Sequence, residues 1–302
     1  MHAMNISLSD CLALIESHFS QMGPELQRCA RWVADHPREV GLLSMRQQAQ
    51  QAGATPTSMI RMARTLGFDD YTSFRRPFQD ALATPVPDYR ARARSMQAAG
   101  SARPADRLEP NLEGVQIDNV RSAGALNQPS ALDRAVDAML RARQVAFLGV
   151  RSCFAISYHF HYAYSLIAGN GLLVHGLGGA FPDQVDVLDE RDLLVCITQQ
   201  PYGRPTIEAL QACHARGVKV LTLTDSPLSP AAAYSDHLLQ FRADSPSYFH
   251  SMLGSLALVE GLLARLTTRG GQAVLDRLST VESRLASSKA YWNPPTTSRS
   301  KK

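Results

Sequence analysis

The stretch SMRQQAQQAGATPTSMIRMARTLGF, residues 44–68, decides how the N-terminal part of the chain folds. Ser44 is a helix-capping residue type, and the helix it opens is expected to end at Ala52. Gly53 suits the left-handed position that stops that helix. Thr55 then caps a second helix whose first position holds Pro56, where a missing N–H costs nothing, and Gly67 ends it. Ala49 is small enough for a crossing helix to approach. Ile60, Ala63 and Leu66 fall at helical spacing and are expected to face the core, leaving Thr57, Ser58, Arg61 and Arg64 pointing away. Two short helices joined through such a turn form a helix-turn-helix. Its second helix offers its N-terminal half to base edges in the major groove, where Arg is the commonest reader of guanine. An ordinary helical hairpin can share the turn. What favours DNA is charge: no acidic residue lies between Glu39 and Asp69, whereas Arg46, Arg61 and Arg64 do, as a surface pressed on phosphates requires. The candidate DNA contacts are Arg46, Thr55, Thr57, Ser58, Arg61 and Arg64.

Outward from this motif, residues 1–82 read as one helical domain and 83–128 as an Ala-, Arg-, Pro- and Ser-rich linker. Pro85, Pro87, Pro104 and Pro110 break any long helix there, leaving one near 112–126. Residues 129–268 alternate helical periods with short apolar runs. Strands are expected at 145–148, 171–175, 193–197, 218–223 and 237–241, with helices at 132–142, 152–168, 182–188, 206–216 and 248–268. That alternation implies an α/β domain with a five-stranded parallel sheet covered on both faces, whose ligands bind at the carboxyl ends of the strands. Residues 269–302 are expected to be a C-terminal helix and a disordered polar tail.

Composition narrows the class. Of 302 residues, 45% are hydrophobic and 19% charged, an ordinary globular balance, and no apolar run approaches the ~20 residues of a membrane helix. The five cysteines, 11, 29, 153, 196 and 213, are widely spaced and form no Cys-x-x-Cys pair. This argues against a disulfide framework or zinc site and points to the reducing cytoplasm. His159 and His161 stand at i, i+2 on a helix and cannot share a metal as an i, i+4 pair can. Neither metal nor cofactor is expected.

Three polar loops follow predicted strands. The first contains Arg151 and Ser152; the second, 198–206, contains Thr198, Tyr202, Arg204 and Thr206, with Thr206 read as a helix cap; the third, 224–230, contains Asp225 and Ser226. These eight residues are the candidate ligand contacts. Arg151 and Arg204 from neighbouring loops would suit a phosphate or carboxylate in bidentate geometry. Pairing of either Arg with Asp183, Asp186 or Asp225 would instead leave the site neutral.

Two resemblances overlie this reading. Residues 21–82, through Glu25-Leu26-Gln27-Arg28, Val33-Ala34-Asp35-His36-Pro37, Leu66-Gly67-Phe68 and Tyr71-Thr72-Ser73-Phe74, resemble the N-terminal domain of the RpiR/MurR family of bacterial regulators. Of that family's frequent Val-Arg-Phe after the helix start, only Arg61 matches. Residues 145–266, above all Thr224-Asp225-Ser226-Pro227-Leu228-Ser229-Pro230, resemble a sugar isomerase (SIS) domain, whose fold is flavodoxin-like and whose usual ligand is a phosphosugar. The usual pattern has Gly at position 151 and a small-hydroxyl phosphate loop in place of Tyr202-Gly203-Arg204-Pro205-Thr206, so a smaller acid fits as well as a sugar phosphate.

The reading is a non-enzymatic, DNA-binding regulator, a repressor or activator of a carbohydrate or sugar-acid operon. Its partners are operator DNA, a small anionic metabolite and itself, as a homodimer or homotetramer; no membrane is involved. The Tyr-rich helix around Tyr158, Tyr162 and Tyr164 and the stripe Leu253, Leu256, Leu263 and Leu266 read as core or as pairing surface, and are the candidate surfaces for an oligomer. The alternatives are a sugar-phosphate isomerase or lyase with an accessory helical domain, and a metabolite-binding module whose helical domain binds protein. An isomerase needs a base, and the three loops contain no Glu.

Overall fold

The computed structural model describes residue 6 and residues 8–82, 89–102 and 108–292. The expected polar tail beyond residue 292 lies outside the described residues.

Six helices build the N-terminal domain: α1 (Leu8–His18), α2 (Pro24–Asp35), α3 (Pro37–Leu42), α4 (Met45–Gln51), α5 (Pro56–Thr65) and α6 (Tyr71–Leu82). Their apolar faces meet in one core that includes Cys29, Val33, Met59, Met62, Phe74 and Phe78, all shut off from solvent. Two more helices follow, α7 (Tyr89–Ala102) and α8 (Leu108–Ala125), then α9 (Pro129–Arg141).

The α/β domain interleaves β1 (Val145–Leu148), α10 (Cys153–Ile167), β2 (Gly171–Val174), α11 (Phe181–Asp186), β3 (Leu193–Thr198), α12 (Arg204–Ala215), β4 (Lys219–Thr224) and β5 (His237–Gln240). The long helices α13 (Leu253–Arg269) and α14 (Gly271–Ser287) follow. All strand pairs are parallel, in the order β2-β1-β3-β4-β5. The period-2 rule sends Val145, Phe147, Val195, Ile197, Leu221 and Leu223 to the face covered by α9, α10 and α13. Ala146, Leu148, Leu194, Cys196 and Val220 go to the face covered by α11 and α12. Both faces are buried, so the inner strands are mainly apolar, interrupted only by Thr198 in β3 and by Lys219, Thr222 and Thr224 in β4.

The chain departs from expectation in two places. The helix expected near 112–126 begins earlier, spanning 108–125, and packs on α13 instead of standing in a linker. Pro110 is tolerated because it falls in the first turn, where no intrahelical N–H is lost. This helix also closes the sheet edge. Asn127, just past its end, donates to Gln240 O (2.7 Å) and accepts from Gln240 N (2.8 Å). Ser122 Oγ accepts from Arg242 N (2.8 Å), and Asn119 donates to Asp244 O (2.7 Å) and accepts from Asp244 N (3.2 Å). Alternate residues of the edge are thus paired by side chains instead of another strand. The second departure is that α13 starts at Leu253, five residues later than expected, because 245–252 form a loop. Leu266 is buried in the core, and Leu256 and Leu263 pack partly buried against it, so the candidate pairing stripe is mainly core.

Asn119→Ala would leave both backbone groups of Asp244 without partners, at a cost of roughly 1–3 kcal/mol each. Its unfolding midpoint, read by calorimetry, is expected to fall by several degrees. An unchanged midpoint would show that the edge ladder carries no stability.

Candidate functional site

The turn before α5 forms as its residue types dictate. Ser44 and Gln47 make a reciprocal capping box at the start of α4, with Ser44 N donating to Gln47 Oε1 (3.0 Å) and Gln47 N donating to Ser44 Oγ (3.4 Å). Gly53 is left-handed (φ +60°), and Arg28 donates to its carbonyl (2.9 Å). Thr55 Oγ1 accepts from Ser58 N (3.2 Å) at the start of α5, with Pro56 in the first turn. One anchor escaped sequence reading. Gln48 is fully buried; it donates to Val40 O (3.0 Å) and Leu43 O (2.8 Å) and accepts from the Tyr71 hydroxyl. A single side chain therefore ties α3, α4 and α6 together, and nothing in a run of glutamines marks which one turns inward.

The face that α5 presents is narrower than expected. Arg46, Thr55, Thr57, Arg61 and Arg64 are exposed, but Ser58 is 3% exposed and donates to Glu25 Oε1 (2.5 Å). Ser58 is withdrawn as a base contact, because the buried stripe is Met59, Met62, Ala63 and Leu66, with Ile60 only half-buried. The fold also brings two acids near this face. Glu25 meets the start of α5, and the charge of Arg64 reaches Asp70, whose pKa is lowered chiefly by hydrogen bonding to Ser73. A stretch free of acids in sequence is thus flanked by acids in space.

In the α/β domain, the loops after β1, β3 and β4 converge on the carboxyl edge of the sheet. Gly149 is required there: a Cβ would stand 2.5 Å from Cys153 O. Arg151 adopts a left-handed φ of 54°, unusual for a residue with a side chain, and its side chain is exposed. Ser152 Oγ lies 3.1 Å from His250 Nε2, and Thr198 is buried at the end of β3. Asp225 accepts from Gln200 N (3.0 Å) and the Tyr202 hydroxyl (2.9 Å), and burial raises its pKa. Ser226 Oγ accepts from Leu228 N (3.1 Å).

Three expectations change here. Arg204 is 89% exposed at the side chain and pairs with Glu208 (2.7 Å), one turn along its own helix, so it stands outside the site. Tyr202 spends its hydroxyl on Asp225. Thr206 caps nothing, because α12 already begins at Arg204; its Oγ1 is buried without a partner, as are Gln199 Oε1 and Ser157 Oγ. Orphaned buried oxygens below a sheet-edge loop are what a polar ligand would satisfy. Sequence reasoning missed His250 and Gln199, one lying on a loop read as helix. Among the described residues, no group of three or more His, Cys, Asp or Glu side chains could hold a metal, and no helix is long and apolar enough to cross a membrane.

Residues 138–265 match the model of the SIS domain. The chain is 23% identical over 279 residues to the HTH-type transcriptional regulator HexR of Pseudomonas aeruginosa, which covers 87% of this chain and 91% of HexR. The RpiR transcription factor of Sphaerobacter thermophilus (sugar isomerase domain) superposes with a TM-score of 0.56 at 26% identity, covering 59% of this chain and 99% of that one. The Vibrio vulnificus NanR protein complexed with ManNAc-6P superposes with a TM-score of 0.52 at 17% identity, covering 93% of this chain and 100% of NanR, a likeness of fold.

Gln48→Ala would strip partners from Val40 O, Leu43 O and the Tyr71 hydroxyl, at roughly 1–3 kcal/mol for each buried group left unpaired. A large drop in the unfolding midpoint is expected by calorimetry. Arg61→Ala, on the exposed face, is expected to change stability by no more than about 0.5 kcal/mol. Comparable losses in both variants would mean that Arg61 is structural and does not belong to a reading face.

Proposed function

We propose that this chain is an RpiR-family transcriptional regulator: α5 reads operator DNA, and the carboxyl edge of the sheet binds a small anionic metabolite, a sugar phosphate or sugar acid, that modulates DNA affinity. The observation that carries the first half is the exposed set Thr55, Thr57, Arg61 and Arg64 on a helix whose opposite face is locked into a core. Arg46 stands at the start of α4, placed for a phosphate contact. The second half is supported by the orphaned oxygens of Gln199 and Thr206, and by NanR, a protein of the same fold seen with ManNAc-6P. Arg151, Ser152, Thr198, Thr206, Asp225 and Ser226 remain the ligand contacts proposed from the loops.

A catalytic reading is less well supported. The loops after the strands lack Glu, and both Asp225 carboxylate oxygens already accept hydrogen bonds, so a catalytic reading would have to rest on His250 as its base. Pairing into at least a homodimer follows from the short reach of one recognition helix, since two half-sites lie about 34 Å apart, one helical turn. Tyr158 and Tyr162, half-exposed and stacked on each other at 6.4 Å on α10, are the proposed pairing face. Such a regulator works in the cytoplasm.

Fluorescence anisotropy with fragments of the chain's own promoter region tests the DNA half. Arg61→Ala is expected to lose about 1–3 kcal/mol at the cognate site, and Arg46→Ala to weaken all sequences alike and flatten the salt dependence. A parent chain that binds no promoter fragment in a salt-dependent, sequence-dependent way refutes the reading.

A further inference from the structure

An open cleft of 1490 Å³ separates the N-terminal helices from the sheet edge. Its wall includes Gln200, Asp225, Ser226 and His250 from the α/β domain and Arg92 from α7. Four arginines line it, and three are engaged. Arg242 pairs with Asp10 (3.0 Å), Arg121 with Asp118 (3.7 Å), and the Arg31 guanidinium lies over the Phe19 ring at 5.5 Å. Arg92 makes no hydrogen bond or ion pair with any described residue.

The position of Arg92 follows from its helix. One turn earlier, the Tyr89 ring packs against Phe249 (5.7 Å) and Tyr248 (6.4 Å), which docks α7 on loop 245–252. Arg92, one turn on, lines the cleft together with the next residue of that loop, His250. The His250 pKa is lowered, first by burial and then by the charge of Arg92. The imidazole in turn reaches Ser152 (3.1 Å) at the start of α10. A cation and an imidazole it repels therefore line the cleft together, and the imidazole links them to the Ser152 hydroxyl behind it. Of the acids of the cleft, Asp80 pairs with Arg76 (3.7 Å) and Asp118 with Arg121, and burial disfavours charge on Asp225. Glu16 and Asp244 line the cleft from α1 and from beyond β5.

We propose that Arg92, with Ser152 and His250, holds the oxyanion of the metabolite, so that the sensing pocket is closed by a helix outside the α/β domain and ligand binding pins α7 to loop 245–252. The proposal rests on the metabolite-sensing reading above and moves its cationic contact from Arg204 to Arg92. A phosphate and a carboxylate share the required chemistry, since a guanidinium grips either through paired N–H donors. Because α7 follows directly on the DNA-reading domain, pinning it restricts where that domain can sit, which is how a ligand would shift DNA affinity.

The test uses the full chain and three probes at matched ionic strength: inorganic phosphate, gluconate and glucose. Thermal unfolding of the parent is expected to shift upward with phosphate, gluconate or both, and not with glucose; which anion acts separates the two sources. Arg92→Gln is expected to need about tenfold more of the active anion for the same shift. Arg92→Lys should recover part of the response, and Arg204→Gln should match the parent. Amide exchange in residues 89–98 is expected to slow when the anion is added to the parent and not to Arg92→Gln. Three results overturn the proposal: no anion shifts the parent, Arg92→Gln responds as the parent does, or α7 exchange is unaffected. Operator binding by the parent is measured alongside. If it persists while Arg92→Gln keeps the full anion response, only the role of Arg92 fails; if it is absent, the regulator reading fails.

Discussion

The outer edge of β5 sets a constraint on which much of this structure depends. An edge strand leaves a row of N–H and C=O groups that must be paired or wetted. Here Asn127, Ser122 and Asn119 serve Gln240, Arg242 and Asp244 in turn, a spacing of two along the strand against one face of a helix. The pairing holds the chain straight for four residues past the end of the strand. That brings Arg242 O so close to Gly254 that a Cβ there would meet it at 2.2 Å. The start of α13 is fixed by this contact, and between the two fixed points lies loop 245–252, which carries Tyr248, Phe249 and His250 to the sheet edge. The pocket thus inherits its geometry from a polar ladder on the far edge of the sheet.

The parts visible in the sequence are those whose signals are local. Caps and left-handed glycines mark both helices of the DNA-reading motif, because Ser44, Gly53 and Thr55 each satisfy a backbone need within three residues. Parallel strands buried on both faces announce themselves as apolar runs. Helix phase is harder to read. With Ile60, Ala63 and Leu66 taken as the inward stripe, Ser58 falls outside; the flexible Met59 and Met62 fill the core instead and rotate Ser58 inward. The edge-closing role of helix α8 escaped notice for a related reason. Its decisive contacts come from Asn and Ser side chains bonding to backbone, and such contacts leave no hydrophobic period.

The pocket shows the limit of reading loops by their place in the chain. Proximity to strand ends correctly gathers Ser152, Thr198, Asp225 and Ser226 at one edge, since every parallel strand delivers its following loop to the same side. It does not say where a long side chain goes once there. Arg204 begins a helix and has Glu208 one turn ahead, so the local ion pair captures it. Arg92 lies more than fifty residues before the first of these loops and reaches the edge only because Tyr89 finds aromatic partners on loop 245–252. No spacing rule relates them.

The same geometry shows how two domains with separate cores are mechanically joined. The loop after β4 lines the cleft with Asp225 and Ser226, and its Leu228 is buried among the apolar side chains of the N-terminal domain. Ser226 Oγ holds Leu228 N, so the turn between them is short and stiff. A second link runs from the edge ladder: the backbone of Arg242 is fixed by Ser122, and its side chain grips Asp10 on α1. A half-exposed ion pair contributes little energy and is readily exchanged, whereas a buried leucine resists withdrawal. The two links therefore differ in kind. Leu228 is a buried apolar anchor between the domains, and Arg242–Asp10 is an ion pair near the surface beside it.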